Sequence, residues 1–215
     1  VASALRPAFP DAGRVSPRLT VLDNIDPEWL SDYLAGAELK RTLFCVVSKS
    51  GGTPETAAQF LWMRDLLRRR FGAKHRAQVV IVTDPAKGPL REIACAEGYP
   101  SFPIPPAVGG RFSVLSAACL APLALVGVDV KGLCRGAAAM ERACRAPFSK
   151  NPAARLAAAL HLLARKGVSN VVMMPYAQKL APLADWYAQL LGESLGKKKN
   201  LAGGTIHAGL TPIRA

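Results

Sequence analysis

The stretch TLFCVVSKSGGTPET, residues 42–56, joins a continuous apolar run to a turn of glycines and hydroxyl side chains. A run such as 42–48 is typical of a strand that is buried on both faces of a parallel sheet. Residues 54–71 then carry apolar side chains at helical spacing, with Pro54 suited to the first helical position and Gly72 to the helix end. The stretch therefore predicts a strand followed directly by a helix.

The alternation of strand and helix extends to both sides of this stretch. Apolar periodicity and turn residues predict strands within 18–26, 77–85, 100–105 and 168–176, and helices at 27–39, 89–98, 113–127, 151–167 and 180–192. Between 128 and 150 the pattern weakens into small helices and turns. We therefore expect an α/β fold, a three-layer α-β-α sandwich around a parallel sheet, with the start of a second similar unit.

The weak segment also predicts a domain boundary. We assign residues 1–135 to a first domain and residues 136–215 to linking helices and an incomplete second domain, which has one strand and one helix. The chain starts at Val1 and ends in GLTPIRA without a clear terminal element. We expect it to be a fragment that lacks both ends of a longer protein.

The charge balance of the 215 residues favours an anionic partner. The formal net charge is +13 and the pI is near 10, which suits a phosphorylated metabolite, a nucleic acid or a membrane surface. The two dense basic runs, 68–70 and 197–199, are short and fall where helices are expected to end, where cations are favourable. No interleaved aromatic residues support nucleic-acid stacking, so we expect no nucleic-acid partner.

Cysteine and histidine usage excludes other classes of protein. Five cysteines without a C-x-x-C pair fit a reducing cytoplasm with no disulfide framework or zinc site, and three widely spaced histidines show no metal-ligand spacing. We expect no signal peptide, and the apolar stretch 113–128 is too short for a membrane span and contains Pro122. We expect a cytoplasmic protein without a membrane partner.

The turn after the first apolar run has the composition of an anion site. It contains glycines that allow close backbone approach and four hydroxyl side chains at the start of a helix, Ser48, Ser50, Thr53 and Thr56. The carboxyl end of a parallel strand is where open α/β sheets bind ligands. A solvated turn with Thr53 as an ordinary N-cap is the alternative. The turn matches neither a Walker A motif nor a dinucleotide fingerprint, which favours a compact phosphate on a small molecule.

Three stretches resemble motifs of one known family, in the same order. SKSGGTPET at 48–56 is similar to the sugar-phosphate loop of SIS domains, and in particular to that of the phosphoglucose isomerase family. GGRFS at 109–113 and GESLGK at 192–197 resemble two further motifs of that family. The first motif occurs across SIS proteins, whereas the three together are highly specific. The resemblance extends from about residue 18 to the chain end.

The resemblance implies an isomerase that interconverts glucose 6-phosphate and fructose 6-phosphate through an enediolate, in glycolysis and gluconeogenesis. It implies no metal or organic cofactor, and a homodimer. Glu193 would move the proton between C1 and C2, Arg111 would stabilise the enediolate, and Gly110 would line the site. The substrate phosphate would be bound by five residues, Ser48, Lys49, Ser50, Thr53 and Thr56, with Lys49 acting through its backbone.

Local context gives each catalytic candidate a second interpretation. Glu193 follows Gly192 at an expected helix end, from which its carboxylate would project out of a tight turn, but it could also be an ordinary surface glutamate. Arg111 precedes a long apolar helix, whose dipole would repel a cation, so a functional reason is favoured over a solvent-facing arginine.

Some family features are missing from the sequence. The family's upstream G-I-G-G-S segment and its ring-opening histidine are not found, and we assign that role to none of the three histidines, His75, His161 and His207. We therefore expect the chain alone to be inactive. Two alternatives remain open, a non-catalytic SIS module that senses a sugar phosphate and, from charge alone, a nucleic-acid-binding protein. An isomerase that also transfers an amino group would need a glutamine-hydrolysing partner.

Overall fold

The computed structural model describes residues 1–5 and 17–215. The described residues form two compact units, one within Ser16–Gly127 and one made of Val128–Ala215 with the amino-terminal segment. We call them the first and second unit, and the assignment of 1–135 and 136–215 to two domains stays a prediction. Within the described ranges, no helix is both long and apolar enough to cross a membrane.

The helices and strands are numbered in chain order. The α-helices are α1 Ala2–Leu5, α2 Pro27–Gly36, α3 Pro54–Phe71, α4 Pro89–Glu97, α5 Ala117–Leu125, α6 Val130–Cys144, α7 Pro152–Arg165 and α8 Ala181–Leu195. The strands are β1 Phe44–Val47, β2 Val79–Thr83, β3 Ser101–Pro103, β4 Asn170–Met173, β5 Lys197–Lys199, β6 Thr205–Ala208 and β7 Thr211–Arg214.

The first unit contains a parallel sheet of order β1-β2-β3. Phe44 pairs with Val79 and Ile81 pairs with Ser101, and both pairings are parallel. Helices α3 and α4 connect these strands, as expected of a parallel sheet. The prediction of a mixed α/β fold with a parallel sheet is confirmed. The carboxyl ends of all three strands lie at one edge of the sheet, which we call the carboxyl edge.

The core of the first unit forms between the sheet and α3. Phe60, Met63 and Leu67 share one face of α3 and are buried, and Phe71 packs against the same cluster. Leu67 and the β2 side chain of Ile81 are completely buried. These are the α3 positions that the helical spacing predicts, and the helix ends before Gly72 as expected.

A partly buried polar cluster lies at the opposite edge of the sheet, before β2 and β3. We call it the Glu97 cluster, made of Arg64, Arg68, His75, Glu97 and Tyr99. The Glu97 carboxylate pairs with Arg64 at 2.9 Å and Arg68 at 3.4 Å, and it accepts a hydrogen bond from the Tyr99 hydroxyl at 2.9 Å. The same hydroxyl lies 2.8 Å from His75 Nε2. His75 is therefore a buried partner of this cluster.

The charges of the Glu97 cluster shift two pKa values. Burial alone would raise the pKa of Glu97, but the Tyr99 hydrogen bond and the charges of Arg64 and Arg68 hold it below its ordinary value. Burial, followed by the hydrogen bond to Glu97, raises the pKa of Tyr99 to about 12. The cluster therefore keeps Glu97 ionised and Tyr99 neutral over the ordinary pH range.

The strand predicted within 18–26 is wrong. Residues 17–26 form no strand, and Val21 and Ile25 are 65% and 50% exposed. Asn24 Oδ1 accepts a bond from the Asp26 N–H at 3.0 Å, and Asp26 caps α2 by accepting from the backbone of Glu28 and Trp29. These local side-chain bonds replace a strand ladder.

The long helix predicted at 113–127 is shorter than expected. A 3₁₀ segment spans Gly110–Leu115, and α5 begins only at Ala117. Ser116 separates the two because its side chain accepts a hydrogen bond from the Ala118 N–H and caps α5. Arg111 consequently lies in the 3₁₀ segment and not at the start of an α-helix.

The second unit is more complete than the sequence indicates. Residues 130–144, predicted as small helices and turns, form the single helix α6, because the glycines that weaken the pattern, Gly132 and Gly136, are tolerated within it. Strand β7 pairs in parallel with β4, and β5 pairs with β6 in antiparallel orientation. The expectation of one strand and one helix after residue 167 is therefore wrong, since short strands of mixed composition lack a clear period.

Candidate functional site

Three loops follow the three strands at the carboxyl edge of the first unit. The hydroxyl loop, residues 48–53, follows β1, the second loop, residues 84–88, follows β2, and the third loop, residues 104–109, follows β3. Parallel pairing of the strands brings the three loops to the same edge. This is the position where open α/β sheets bind ligands.

The two serines of the hydroxyl loop shape its backbone. Ser48 is buried, and its Oγ accepts a hydrogen bond from the Gly51 N–H at 3.1 Å. Ser50 Oγ accepts one from the Gly52 N–H at 3.2 Å. Each hydroxyl keeps its own proton to donate, so both serines can serve an anion while they hold the loop.

Two glycines let the hydroxyl loop and the second loop touch. Gly51 has φ +69°, and a Cβ there would lie 2.7 Å from both the backbone nitrogen and the Cβ of Leu90. Gly88 has φ +102°, and a Cβ there would lie 2.4 Å from the Ser50 carbonyl oxygen. Neither position can accept a side chain without moving backbone.

The start of α3, which follows the hydroxyl loop, has no side chain that caps its amides. Thr53 occupies the N-cap position, but its side chain makes no capping hydrogen bond, so the alternative of an ordinary side-chain N-cap is wrong. Thr53 is exposed, and its backbone has the extended conformation that is usual at an N-cap. Thr56, in the first turn, lines a small pocket of about 50 Å³ with Ser48 and Gly51, and the rest of the lining is made of apolar side chains of α3 and α4. A helix start without a side-chain cap offers its amides to an anion.

Lys49 contacts both of the other loops. Its carbonyl oxygen accepts hydrogen bonds from the Asp84 N–H at 3.1 Å and from the Thr83 hydroxyl at 3.4 Å. Its ammonium Nζ donates to the Pro106 carbonyl oxygen at 2.6 Å. The backbone and the side chain of Lys49 therefore connect the three loops.

Gly110 and Arg111 directly follow the third loop. They begin the 3₁₀ segment, in which the Phe112 N–H bonds to the Gly109 carbonyl and the Ser113 hydroxyl bonds to the Gly110 carbonyl. The Arg111 guanidinium carbon lies 5.1 Å from the centre of the Phe112 ring. The expected repulsion from a helix dipole is wrong, because α5 starts six residues later behind its own cap.

Asp84 is a polar residue of this edge that the sequence analysis missed. It is buried, and its Oδ1 accepts hydrogen bonds from the backbone of Ala86 at 2.9 Å and of Lys87 at 3.1 Å. The Ala86 bond, followed by the Lys87 bond and the nearby lysine charges, holds the pKa of Asp84 below its ordinary value against the effect of burial. The sequence feature that could have identified Asp84 is its position directly after a predicted buried strand.

Glu193 lies in the second unit, in the last turn of α8. The helix continues past Gly192 to Leu195, so the expected tight turn at Glu193 is wrong. Its Oε1 accepts a hydrogen bond from Gln189 Nε2 at 3.0 Å, and its carbonyl oxygen accepts one from Lys197 Nζ at 2.8 Å. Gln189 was missed, although its position four residues before Glu193 places it on the same helix face.

The first unit thus brings most of the predicted site residues to one edge. They are the five hydroxyl-loop and α3 residues, Ser48, Lys49, Ser50, Thr53 and Thr56, and the pair after the third loop, Gly110 and Arg111. Glu193 belongs to the other unit. Residues 1–5 and 17–215 contain no group of three or more His, Cys, Asp or Glu side chains placed to hold a metal ion.

A family model matches almost the whole chain. Residues 1–214 match the sequence model of the family described as phosphoglucose isomerase. A glucose-6-phosphate isomerase of Carboxydothermus hydrogenoformans is 45% identical over 204 residues, which are 94% of this chain and 44% of that protein. A glucose-6-phosphate isomerase of Symbiobacterium thermophilum is 42% identical over 176 residues, 81% of this chain and 39% of its own length. The chain spans less than half the length of these curated relatives.

Two solved structures are similar to the chain. A hypothetical protein from Thermus thermophilus superposes with a TM-score of 0.85 and 38% identity, over 90% of this chain and 46% of that one. A glucose-6-phosphate isomerase from Chlamydia trachomatis superposes with a TM-score of 0.76 and 28% identity, over 88% of this chain and 37% of that one.

Proposed function

The chain belongs to the phosphoglucose isomerase family, and on this basis we propose that the whole protein interconverts glucose 6-phosphate and fructose 6-phosphate. The observation that carries the proposal is the hydroxyl loop at the carboxyl edge of a parallel sheet, next to an uncapped helix start. Relatives that are named glucose-6-phosphate isomerase support the same reaction.

The hydroxyl loop and the start of α3 bind the substrate phosphate. The helix-start amides and the hydroxyls of Ser48, Ser50, Thr53 and Thr56 donate to the phosphate oxygens, and the partial positive charge of the helix start adds to their attraction. Lys49 contributes its backbone, as the family resemblance implies. Binding the phosphate fixes the distance from this edge to the sugar carbons that react.

The chemical step needs a proton relay and an anion stabiliser. Glu193 takes the proton from C2 of the aldose to give an enediolate, and the same carboxyl group returns it to C1 to give the ketose. Arg111, with Gly110 lining the site, stabilises the negative charge on the enediolate oxygens, because a guanidinium stays charged at every working pH. A second proton passes from the C2 hydroxyl to the C1 oxygen, so the two transfers together convert aldose to ketose without an external oxidant or reductant, and no cofactor is used.

The remaining proposals concern the setting of the whole protein. The chain comprises an SIS-type first domain and part of a second, and the whole protein acts in the cytoplasm as a homodimer on a sugar-phosphate substrate. The family resemblance supports the dimer, and five free cysteines support a reducing compartment. Nucleic acid and membranes are not partners in this proposal.

Replacement of Glu193 tests the reaction. In the full-length protein, Glu193→Gln keeps the shape of the side chain but removes the base, so kcat should fall roughly 10²- to 10⁴-fold while affinity for sugar phosphate is retained. Glu141→Gln, at an exposed glutamate of α6 that pairs with Arg145, is the matched control and should turn over normally. Near-normal turnover of Glu193→Gln would remove it from the mechanism.

The same assay separates the enzyme from a non-catalytic sensor. A sensor would use the hydroxyl loop alone, so the wild-type full-length protein would bind fructose 6-phosphate without converting it. Turnover by the wild-type protein eliminates this second candidate.

A further inference from the structure

Lys49 hydrogen-bonds from the hydroxyl loop to both neighbouring loops. Its carbonyl oxygen accepts from the backbone of Asp84, and its ammonium donates to the carbonyl oxygen of Pro106 at 2.6 Å. A charge-assisted bond of this length is among the stronger hydrogen bonds in proteins. The side chain is therefore engaged with the third loop, on which the position of Arg111 depends.

The third loop is short and well held, so the contact at Pro106 can affect the position of Arg111. Ile104 is buried and its N–H bonds to the Thr83 carbonyl at 2.7 Å, which anchors the start of the loop to the sheet. Two prolines follow, and the Val108 N–H closes a turn on the Pro105 carbonyl at 3.0 Å. Because proline fixes φ, holding the Pro106 carbonyl limits the directions in which the chain can enter Gly110 and Arg111.

From these contacts we propose that Lys49 is a positioning residue, whose side chain fixes the Gly110–Arg111 turn relative to the phosphate-binding hydroxyl loop. The ammonium does not act as a phosphate ligand. Its effect on the reaction is exerted through Arg111. This inference rests on the proposed function for its catalytic consequence, but its structural part does not.

Three measurements on the full-length protein test the role of Lys49. Lys49→Met keeps the apolar stem and removes the donor. Misplacement of Arg111 should lower kcat roughly 10- to 100-fold, while the inhibition constant of inorganic phosphate changes less than about threefold. Hydrogen–deuterium exchange of the peptide covering 107–112 should become roughly fivefold faster, because one hydrogen bond that holds the loop is lost.

Matched variants separate positioning from charge. Lys87→Met removes an exposed lysine of the second loop at the same edge and should leave both kcat and exchange at 107–112 unchanged. In an Arg111→Met background, Lys49→Met should cost less than about threefold in kcat, since the two residues act as one unit.

Each result supports or overturns the positioning role. Faster exchange at 107–112 with a loss of kcat and unchanged phosphate inhibition supports it. Unchanged exchange, or a weaker phosphate inhibition with kcat retained, overturns it, the latter because Lys49 would then be a direct phosphate ligand. If the wild-type protein shows no turnover, the proposed isomerase function fails, and the exchange measurement still decides whether Lys49 holds the third loop.

Discussion

Gly51 has no space for a side chain, and its φ of +69° is a conformation that other residues rarely adopt. Gly51→Ala should therefore lower the free energy of unfolding by roughly 1–3 kcal/mol and should disrupt the hydroxyl loop. Gly52 is the matched control, because a Cβ added there would have only Ser50 Oγ nearby, at 3.9 Å, and its φ is not positive. Chemical denaturation of Gly51→Ala and Gly52→Ala measures the difference. Equal stabilities would contradict the packing of Gly51 against Leu90.

Glu97 links stability to pH. Its folded-state pKa lies below its ordinary value, so its contribution is present above the unfolded pKa of about 4.3 and is lost as pH falls through the folded value. Glu97→Gln should cost about 1.5–3 kcal/mol at pH 7, and this cost should shrink below about pH 4. Denaturation at several pH values, with exposed Glu92→Gln on the same helix as control, checks this. A cost that does not depend on pH would contradict the ionised cluster.

At the residue scale, the sequence predicts structure where the role of a residue depends only on its immediate neighbours in the chain. Gly72 ends α3 as predicted, and Asn151 caps α7 by accepting a hydrogen bond from the Ala154 N–H three residues along the chain. Sequence reasoning does not predict contacts between residues that are far apart in the chain. The bond from Lys49 to Pro106 spans 57 residues, and His75 meets Tyr99 across 24, so no local pattern encodes either pair.

At the element scale, the starts of α2 and α3 are built differently. Asp26 accepts hydrogen bonds from two amides of α2, whereas the Thr53 side chain makes none with α3. Asp26→Ala should therefore cost about 1 kcal/mol of stability, and Thr53→Val should cost much less. If Thr53 serves the ligand, Thr53→Val should instead weaken sugar-phosphate binding. Calorimetry of the full-length variants measures both effects, and a destabilised Thr53→Val with normal affinity would show an ordinary cap.

The same scale explains which elements sequence could predict. Strands β1 and β2 are continuous apolar runs, and α3 has a strong helical period, so all three lie where expected. Strands β5, β6 and β7 include a lysine run, a histidine and a proline, and their pairing depends on partners elsewhere in the chain. Within 18–26 a strand is predicted but absent. Its apolar residues have no neighbouring strand to pair with, so they do not form a strand.

At the scale of the whole molecule, the positive charge is unevenly distributed. Residues 128–215 hold 13 of the 28 lysines and arginines but only four of the 15 acidic residues, so they carry +9 of the net +13. The loops at the carboxyl edge of the first unit, with Arg111, carry three of the other cations, Lys49, Lys87 and Arg111, against one carboxylate, Asp84. In the proposed function, amides, hydroxyls and the helix start bind the phosphate at this edge. The net charge of the chain therefore indicates the charge of the ligand but not the place where the ligand binds.

The contact between Gly88 and the Ser50 carbonyl oxygen joins segments that are 38 positions apart in sequence. A graft of the SKSGGT segment into a different scaffold must therefore include the turn around Gly88. Without that turn, the grafted segment should lose its loop conformation. For the same reason, Gly88 should prove intolerant in a saturation mutagenesis screen even though it carries no reactive group. Such intolerance would reflect the lack of space beside the Ser50 carbonyl oxygen and not a catalytic role of Gly88.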